Sequence, residues 1–241
     1  MPFAPVLHAE FLKIRTLRSL YGALLALLAV STAFSAVAGV SETSDPEFDP
    51  LYMAVSGVIP GQIAVLAFGA LAVSSEFHSG ALRLSLAAVP RRGRWFTAKL
   101  TAVAVPALLT GLVTGAASLS AARAGLGAAA DGLTAAEQTR GVLGCGIYLT
   151  LMALFAAGLT ALLRSGMAAL GILIPFILIV SFVIGDAAGT VAEFLPDRAG
   201  QVVLHETWDG TLGPWTGLAV TALWTAAAIA AGAWSVRHRD A

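Results

Sequence analysis

The sequence predicts an all-α, polytopic membrane protein with six transmembrane helices, an amphipathic helix before the first of them, and cytoplasmic N and C termini. Of the 241 residues, 58% are hydrophobic and only 12% are charged, whereas a soluble domain has roughly 45–50% apolar and 25% charged residues. The few charges are also segregated, so that long uncharged stretches alternate with short charged ones. Because each surface helix or strand of a soluble protein needs a polar face, this pattern argues against a soluble fold.

Six stretches without an ionisable Asp, Glu, Lys, Arg or His are long enough to cross a membrane, since a helix needs about 20 apolar residues to span the hydrocarbon core. They cover residues 19–41, 50–75, 100–122, 141–163, 165–185 and 210–236. We therefore expect an interfacial segment over 1–18 and a six-span transmembrane domain over 19–241. In the third span, Gly111 and Gly115 form a Gly-x-x-x-Gly pair, which predicts close packing against another helix.

The first apolar stretch has an alternative interpretation as a signal peptide. Basic residues precede it, and Ala36-Val37-Ala38 resembles a cleavage site. A signal peptide has an apolar region of about 7–15 residues. This stretch is longer and five further spans follow it, which favours a membrane span.

The basic residues predict the orientation, because Lys and Arg concentrate in cytoplasmic loops. With the N terminus inside, the cytoplasmic segments hold 11 of the 14 basic residues but only three of the 14 acidic ones. These basic residues are Lys13, Arg15, Arg18, Arg83, Arg91, Arg92, Arg94, Lys99, Arg164, Arg237 and Arg239. Six spans then return the C terminus to the cytoplasm.

The segment before the first span has the periodicity of an amphipathic helix. Its apolar residues recur at steps of three or four, which places them on one face. They are Phe3, Leu7, Phe11, Ile14, Leu17 and Tyr21. Lys13, Arg15 and Arg18 occupy other faces, so we expect an interfacial helix with its basic groups at the lipid phosphates. The alternative is a basic flank that only sets the topology.

The longest predicted cytoplasmic segment, residues 76–99, includes a short helical stretch over 80–88 that Pro90 and Gly93 end. Leu82, Leu84 and Leu86 make this stretch too apolar for water. We expect lipid or a partner protein to cover it.

The predicted outer loop over 186–209 is long enough for one or two short helices that turn back toward the membrane. A plain acidic loop is the other interpretation, because loop length by itself does not determine structure.

The predicted spans lack the groups that intramembrane chemistry requires. Ionisable residues inside a membrane are costly and usually functional, and none lies in the six stretches. Neither Lys13 nor Lys99, the only lysines, ends a phosphate-binding Gly-x-x-x-x-Gly-Lys-Ser/Thr motif. We therefore expect no catalytic residue, no metal site and no bound cofactor, and an energy source on another chain.

Together these segments resemble the permease subunit of bacterial type-2 ABC exporters. The resemblance rests on residues 9–15, on the tail 237–241 and on the first cytoplasmic loop. The loop residues that match are Glu76, Gly80, Pro90, Arg92 and Lys99. Where the family often has Gly-Thr, this chain has Gly80-Ala81.

The resemblance implies that the first cytoplasmic loop contains a coupling helix that docks on a separate cytoplasmic ATP-binding subunit. The coupling positions are then Glu76, Gly80, Leu84, Leu86, Pro90 and Arg92. It also implies that the N-terminal helix lies on the inner leaflet as an elbow, and that the permease works as a homodimer or heterodimer with ATP on the partner subunits.

The sequence thus predicts an ATP-driven permease subunit, active in export, in the bacterial cell membrane. Two alternatives from other classes stay open, a non-transporting membrane scaffold or sensor and a membrane-embedded enzyme. No pattern distinguishes a drug, lipid, peptide or polysaccharide as the cargo.

Overall fold

The computed structural model describes residues 3–38, 49–77, 81–89, 91–126, 133–184, 189–208 and 210–238. Within these ranges all regular secondary structure is helical, as the sequence predicts. The α-helices are α1 (Phe3–Thr16), α2 (Arg18–Ala38), α3 (Pro50–Val55), α4 (Val58–Ser74), α5 (Ala81–Ala88), α6 (Arg92–Leu126), α7 (Ala135–Leu163), α8 (Gly166–Pro175), α9 (Pro196–Gln201) and α10 (Pro214–His238). A π-helical segment, Phe176–Ile184, continues α8, and 3₁₀ turns at Gly189–Phe194 and Val202–Leu204 flank α9.

The helices form a bundle with two ends, and each end joins segments that are distant in sequence. At the lysine end, Lys13 and Lys99 bind Glu76. At the opposite end, here called the His205 end, Asp49 contacts His205 and Arg140 donates to the His205 carbonyl oxygen.

These contacts define the path of the chain. The Arg92 guanidinium donates to the Val236 carbonyl oxygen at 2.9 Å, so the start of α6 lies beside the end of α10. The last described helix therefore ends at the lysine end, where α1 also packs against α6.

Four described helices have the length and hydropathy of a membrane span, namely α2, α6, α7 and α10. They correspond to the predicted spans 19–41, 100–122, 141–163 and 210–236. The predicted spans 50–75 and 165–185 contain shorter apolar helices, Val58–Ser74 and Gly166–Ile179. The chain is thus a helical membrane protein with four membrane-length helices among its described residues, and the count of six spans stays a prediction.

The predicted span 50–75 is divided into α3 and α4. Asp49 begins α3 as its N-cap, because its carboxylate accepts a hydrogen bond from the Tyr52 amide at 2.9 Å. The helix breaks near Gly57, whose N–H donates to the Ser35 hydroxyl at 3.2 Å. A side chain on Gly57 would collide with the Ser31 backbone, so the break depends on a glycine where α2 lies closest.

The predicted span 165–185 also departs from a simple helix. Arg164 ends α7 in the left-handed region with φ 57°, and Ser165 caps α8 by accepting from the Ala168 amide at 3.2 Å. Pro175 ends α8 because proline has no N–H for the helical hydrogen bond, and the wider π-helix follows directly. Such π segments inside helices frequently mark functional sites.

The central helix is α7, which packs against α4, α6 and α10. Gly69 on α4 lies against Ala153, and Gly158 on α7 lies against Ala228 on α10. A side chain on either glycine would collide with the facing backbone. Small residues therefore allow the helices to approach closely, which is typical of membrane interfaces.

Two helices begin several residues before the predicted span limits. α6 begins at Arg92 instead of residue 100, so the last part of the predicted loop 76–99 is the first part of a long helix. α7 begins at Ala135 instead of residue 141. There Thr134 and Glu137 form a reciprocal capping box, which satisfies backbone N–H groups that the helix leaves open.

The segment predicted as an outer loop over 186–209 contains α9 and its two flanking 3₁₀ turns in its described part. This agrees with the interpretation as short helices rather than with a plain loop. Asp197 and Ala199 are buried, and Gly200 lies against the Tyr148 ring. The segment thus inserts into the bundle instead of covering its surface.

Candidate functional site at the lysine end

A cluster of two lysines and two glutamates lies at the lysine end. Glu10 comes from α1 together with Lys13, Glu76 follows the end of α4, and Lys99 belongs to α6. Both lysines of the sequence therefore lie in one place, although they are far apart in the chain. We call these four residues the lysine–glutamate cluster.

Glu76 is the centre of the cluster. Its Oε1 lies 2.7 Å from Lys13 Nζ and 2.7 Å from Lys99 Nζ. Lys13 Nζ also donates to Glu10 Oε1 at 2.9 Å, and Lys99 forms an ion pair with Glu10. Each ammonium group therefore has two carboxylate partners, and the four charges sum to zero.

Three members of the cluster are buried. Glu10, Glu76 and Lys99 expose 4%, 2% and 3% of their surface, whereas the Lys13 side chain is 37% exposed. Unpaired burial of such charges would cost several kcal/mol per ion. The mutual pairing is what makes these positions tolerable.

The pKa values of two members follow from this pairing. Burial alone would raise the pKa of the Glu76 carboxyl, but the charge of Lys99 and the hydrogen bonds from Lys13 and Lys99 lower it below its ordinary range. Burial alone would lower the pKa of Lys13, but hydrogen bonds to Glu76 and Glu10 raise it. Pairing therefore favours the charged form of both groups.

The cluster also holds α5. Ser85 Oγ donates to Glu76 Oε2 at 2.9 Å, and the Leu82 amide donates to the Glu76 carbonyl oxygen at 2.8 Å. Leu82 is buried, but Leu84 is 75% exposed. α5 thus has one face fixed to the bundle and another face exposed.

Apolar contacts hold one face of α5, and hydrogen bonds join the neighbouring start of α6 to α10. Leu82 packs in a cluster with Trp95, Phe96 and Val236, and the partly buried Leu86 contacts the same group. Arg92 donates to the carbonyl oxygens at the end of α10, Val236 at 2.9 Å and Arg237 at 3.3 Å. The start of α6 is therefore bonded to the last turns of α10.

The predicted coupling positions occupy different places. Leu84 lies on the exposed face of α5, Leu86 lies against the bundle and Arg92 binds α10. Glu76 lies beneath α5 and is buried, so it holds this helix instead of presenting itself on the surface. Gly80 and Pro90 lie outside the described residues.

The predicted interfacial helix is α1, but its buried face is not the predicted apolar stripe. Val6, Glu10 and Ile14 face the bundle. Phe3 is 41% exposed and Phe11 is half-buried. The predicted stripe is therefore divided, because Ile14 packs on the protein while the other side of α1 stays open.

The predicted basic face of α1 is divided as well. Arg15 and Arg18 are exposed, in keeping with a position at lipid phosphates. Lys13 instead turns toward the two glutamates.

Gly111 and Gly115 lie on the face of α6 that contacts α7. Gly111 lies against Gly146, and Gly115 lies against Cys145 and Val142. The Gly-x-x-x-Gly pair thus serves packing within this chain in the described structure.

Sequence reasoning missed the pairing of Glu10 and Lys99 and the bond from Ser85. One signal was present in the sequence: Glu10 and Glu76 are two of the three acidic residues in the predicted cytoplasmic segments. Carboxylates that persist in a strongly basic region are candidates for ion pairs, but their partners depend on how α1 folds back.

No family model matches the chain, and no curated protein matches it at a significant level.

Proposed function

We propose that this chain is the transmembrane permease subunit of an ATP-driven transporter of the type-2 ABC exporter class. In this proposal α5 is the surface on which a separate ATP-binding subunit docks. The observation that carries the proposal is the attachment of the exposed helix α5 to the buried lysine–glutamate cluster through Glu76.

The exposed face of α5 carries an apolar side chain that a partner protein would cover. Leu84 is 75% exposed at the end of the bundle, on a helix that is otherwise held in place. The basic residues favour the cytoplasm for the lysine end, where a soluble protein can cover the leucine. We therefore place both termini in the cytoplasm and the six spans in the bacterial cell membrane.

The energy source belongs to that partner. The sequence has no phosphate-binding loop, and Lys13 and Lys99 are engaged with carboxylates in the cluster. ATP binding and hydrolysis are thus expected on the docked subunit, and the permease pairs with a second permease chain.

The cluster gives this docking a mechanical consequence. A force on α5 reaches Glu76 through the Ser85 hydroxyl and the Leu82 amide, and Glu76 binds α1 and α6. Breaking a buried ion pair costs about 3–5 kcal/mol. α1, the end of α4 and the start of α6 would therefore move with α5 when ATP closes the partner pair, and spans would repack to export the cargo.

Replacement of Leu84 tests the docking surface. A soluble protein with a phosphate-binding loop is sought among the neighbouring genes and reconstituted with the chain in lipid vesicles, and its ATPase rate is measured. We expect Leu84→Asp to weaken the association about tenfold, because it places an unpaired charge in an apolar interface. The rate at limiting partner concentration should fall to the same extent.

His8→Asp is the matched control, since His8 is exposed on α1 and lies outside the predicted spans. It adds the same charge away from α5 and should leave the rate unchanged. Equal rates for the Leu84→Asp variant and the unchanged protein would refute docking on α5. Membrane-independent ATPase activity, unaffected by the chain, would favour a scaffold or sensor.

A further inference from the structure

A cavity of about 410 Å³ opens at the His205 end. Segments that are far apart in sequence surround it, namely α3, α4, the π-helical segment, α9 and the chain that follows α9. Its lining residues include Tyr52, Gln62, Glu193, Arg198, His205 and Trp208. The volume lies within the 300–1,000 Å³ of small-molecule sites.

Aromatic rings form one wall of this cavity. Tyr52 and His205 are stacked, with ring centroids 4.1 Å apart and planes 11° apart. The Trp208 ring follows at 4.9 Å from His205. Trp208 is 40% exposed, so part of its indole surface is available to a ligand.

The stack is held from behind. Asp49 Oδ2 lies 3.1 Å from His205 Nδ1, and the Asp49 carboxylate also accepts the Glu206 and Tyr52 amides. One residue thus begins α3 and orients the imidazole. The aromatic wall is preorganised, which lowers the conformational entropy that its side chains lose when a ligand binds.

A polar floor closes the cavity. Gln62 is 1% exposed, and its carbonyl oxygen accepts a hydrogen bond from the Tyr148 hydroxyl. The Gln201 amide donates to the same hydroxyl at 3.2 Å. Gln62 and Gln201 line the cavity together with Ile59 and Ile177. These two amides can form hydrogen bonds with one end of a ligand.

Glu193 presents a carboxylate to a cationic ligand. Glu193 lies in the lining and its pKa is lowered by hydrogen bonds from Thr211, while the Asp49 carboxylate lies behind the stack. Arg198 contributes one positive charge, and its Nε donates to the Ser181 carbonyl oxygen at 2.8 Å. The faces of tyrosine and tryptophan rings also attract cations.

We propose that this cavity binds a drug-sized amphipathic cation with an aromatic ring system. The aromatic part lies against Trp208 and Tyr52, and the positive charge lies near Glu193. The proposal is independent of the function proposed above, because a permease and a sensor could both use such a site.

Binding is tested with rhodamine 6G, a planar aromatic cation, and with fluorescein, an anion of similar size and shape. Fluorescence anisotropy is measured with the purified full-length chain in detergent micelles, without ATP or a partner protein. We expect saturable binding of rhodamine 6G and at least about tenfold weaker binding of fluorescein, which corresponds to about 1.4 kcal/mol. Equal affinities for the two dyes would overturn the proposal.

Two variants locate the site. Trp208→Ala should weaken the binding of rhodamine 6G about fivefold. Glu193→Gln keeps an acceptor for Thr211, removes the charge, and should weaken binding about threefold at low salt.

Trp215→Ala is the matched control, because Trp215 is 55% exposed near the same end but lies outside the lining. It should bind rhodamine 6G as the unchanged protein does. Equal losses in Trp208→Ala and Trp215→Ala would show that the dye only partitions near exposed tryptophans. Retention of full affinity in both Trp208→Ala and Glu193→Gln would likewise overturn the proposal.

Discussion

At the lysine end, buried charges join α1, α4 and α6, whereas at the His205 end stacked rings and hydrogen bonds join α3, α7 and the chain after α9. The lysine end has little free space, because Glu76 contacts Lys13, Lys99 and Ser85 at 2.7–2.9 Å. The His205 end surrounds a cavity of about 410 Å³. The first arrangement suits the transmission of force, and the second suits the admission of a ligand.

The energetic basis of this difference is the cost of leaving a group without its partner. A buried charge that loses its partner costs about 3–5 kcal/mol, whereas a neutral buried hydrogen-bonding group costs about 1–3 kcal/mol. The lysine end should therefore be the more sensitive to substitution.

The largest effect is expected for Glu76→Leu. It removes the carboxylate between Lys13 and Lys99 and leaves the buried Lys99 with only Glu10 among its described carboxylate partners. We expect a loss of about 3–5 kcal/mol in the free energy of unfolding, measured by denaturation in detergent with circular dichroism.

Glu206→Gln at the other end is the control for Glu76→Leu. The Glu206 side chain is half-exposed, and its replacement should cost less than about 0.5 kcal/mol. A loss below about 1 kcal/mol for Glu76→Leu would contradict the central position of this carboxylate.

A smaller effect is expected for Gln62→Leu at the His205 end. This nearly isosteric change removes the acceptor of the buried Tyr148 hydroxyl, which keeps its bond from Gln201. We expect a loss of about 1–3 kcal/mol in the same unfolding measurement. Thr150→Val, which removes only a bond within α7, should cost less, and the reverse order would contradict the role of Gln62.

Acid should weaken the lysine end before the His205 end. Burial opposes the shift, but Lys99 and Lys13 lower the pKa of Glu76, and contacts with His205 and the Tyr52 amide likewise lower the pKa of Asp49. A lowered pKa stabilises the folded chain above the ordinary value, and the contribution is lost as pH falls through the folded-state pKa. The loss of stability therefore begins as the pH falls below the ordinary pKa of each carboxyl group, which is 4.5 for Glu76 and 3.8 for Asp49.

Unfolding measured between pH 7 and pH 3 checks this order. Glu76→Gln should start less stable but lose less stability than the unchanged protein between pH 5 and pH 4. A parallel pH dependence of the two proteins would exclude Glu76 as the group that titrates there.

The smallest effect is expected for Lys13→Met. The Lys13 side chain is 37% exposed, so water and salt weaken its contribution to at most about 1 kcal/mol. Lys99→Met removes the buried partner and should cost more in the same assay. Equal losses for the two lysines would show that burial does not separate their contributions.

Much of the architecture could be predicted from composition and periodicity. The helical class, the four membrane-length helices and the helical nature of α1 follow from apolar stretches and spacing, which are local properties. The start of α6 at Arg92 could not be predicted from the apolar stretch, because basic residues end such a stretch although a helix continues through them. The break at Gly57 was missed because it depends on contact with α2.

The candidate sites were less accessible to prediction. The sequence suggests one coupling role for Leu84 and Glu76, but only Leu84 is exposed, and Glu76 is buried. The aromatic wall joins Tyr52 to His205 and Trp208, which lie far from it in the sequence. No local pattern marks such a pairing.

The sequence by itself determined that this chain is a helical membrane protein with segregated charges, because the transfer of residues from water to lipid depends on each residue and its neighbours. Only the tertiary structure decided that Lys13 and Lys99 share Glu76, and that Asp49 orients His205 beside a cavity. Buried charges and stacked rings depend on which segments meet, and these meetings result from the packing of the whole bundle.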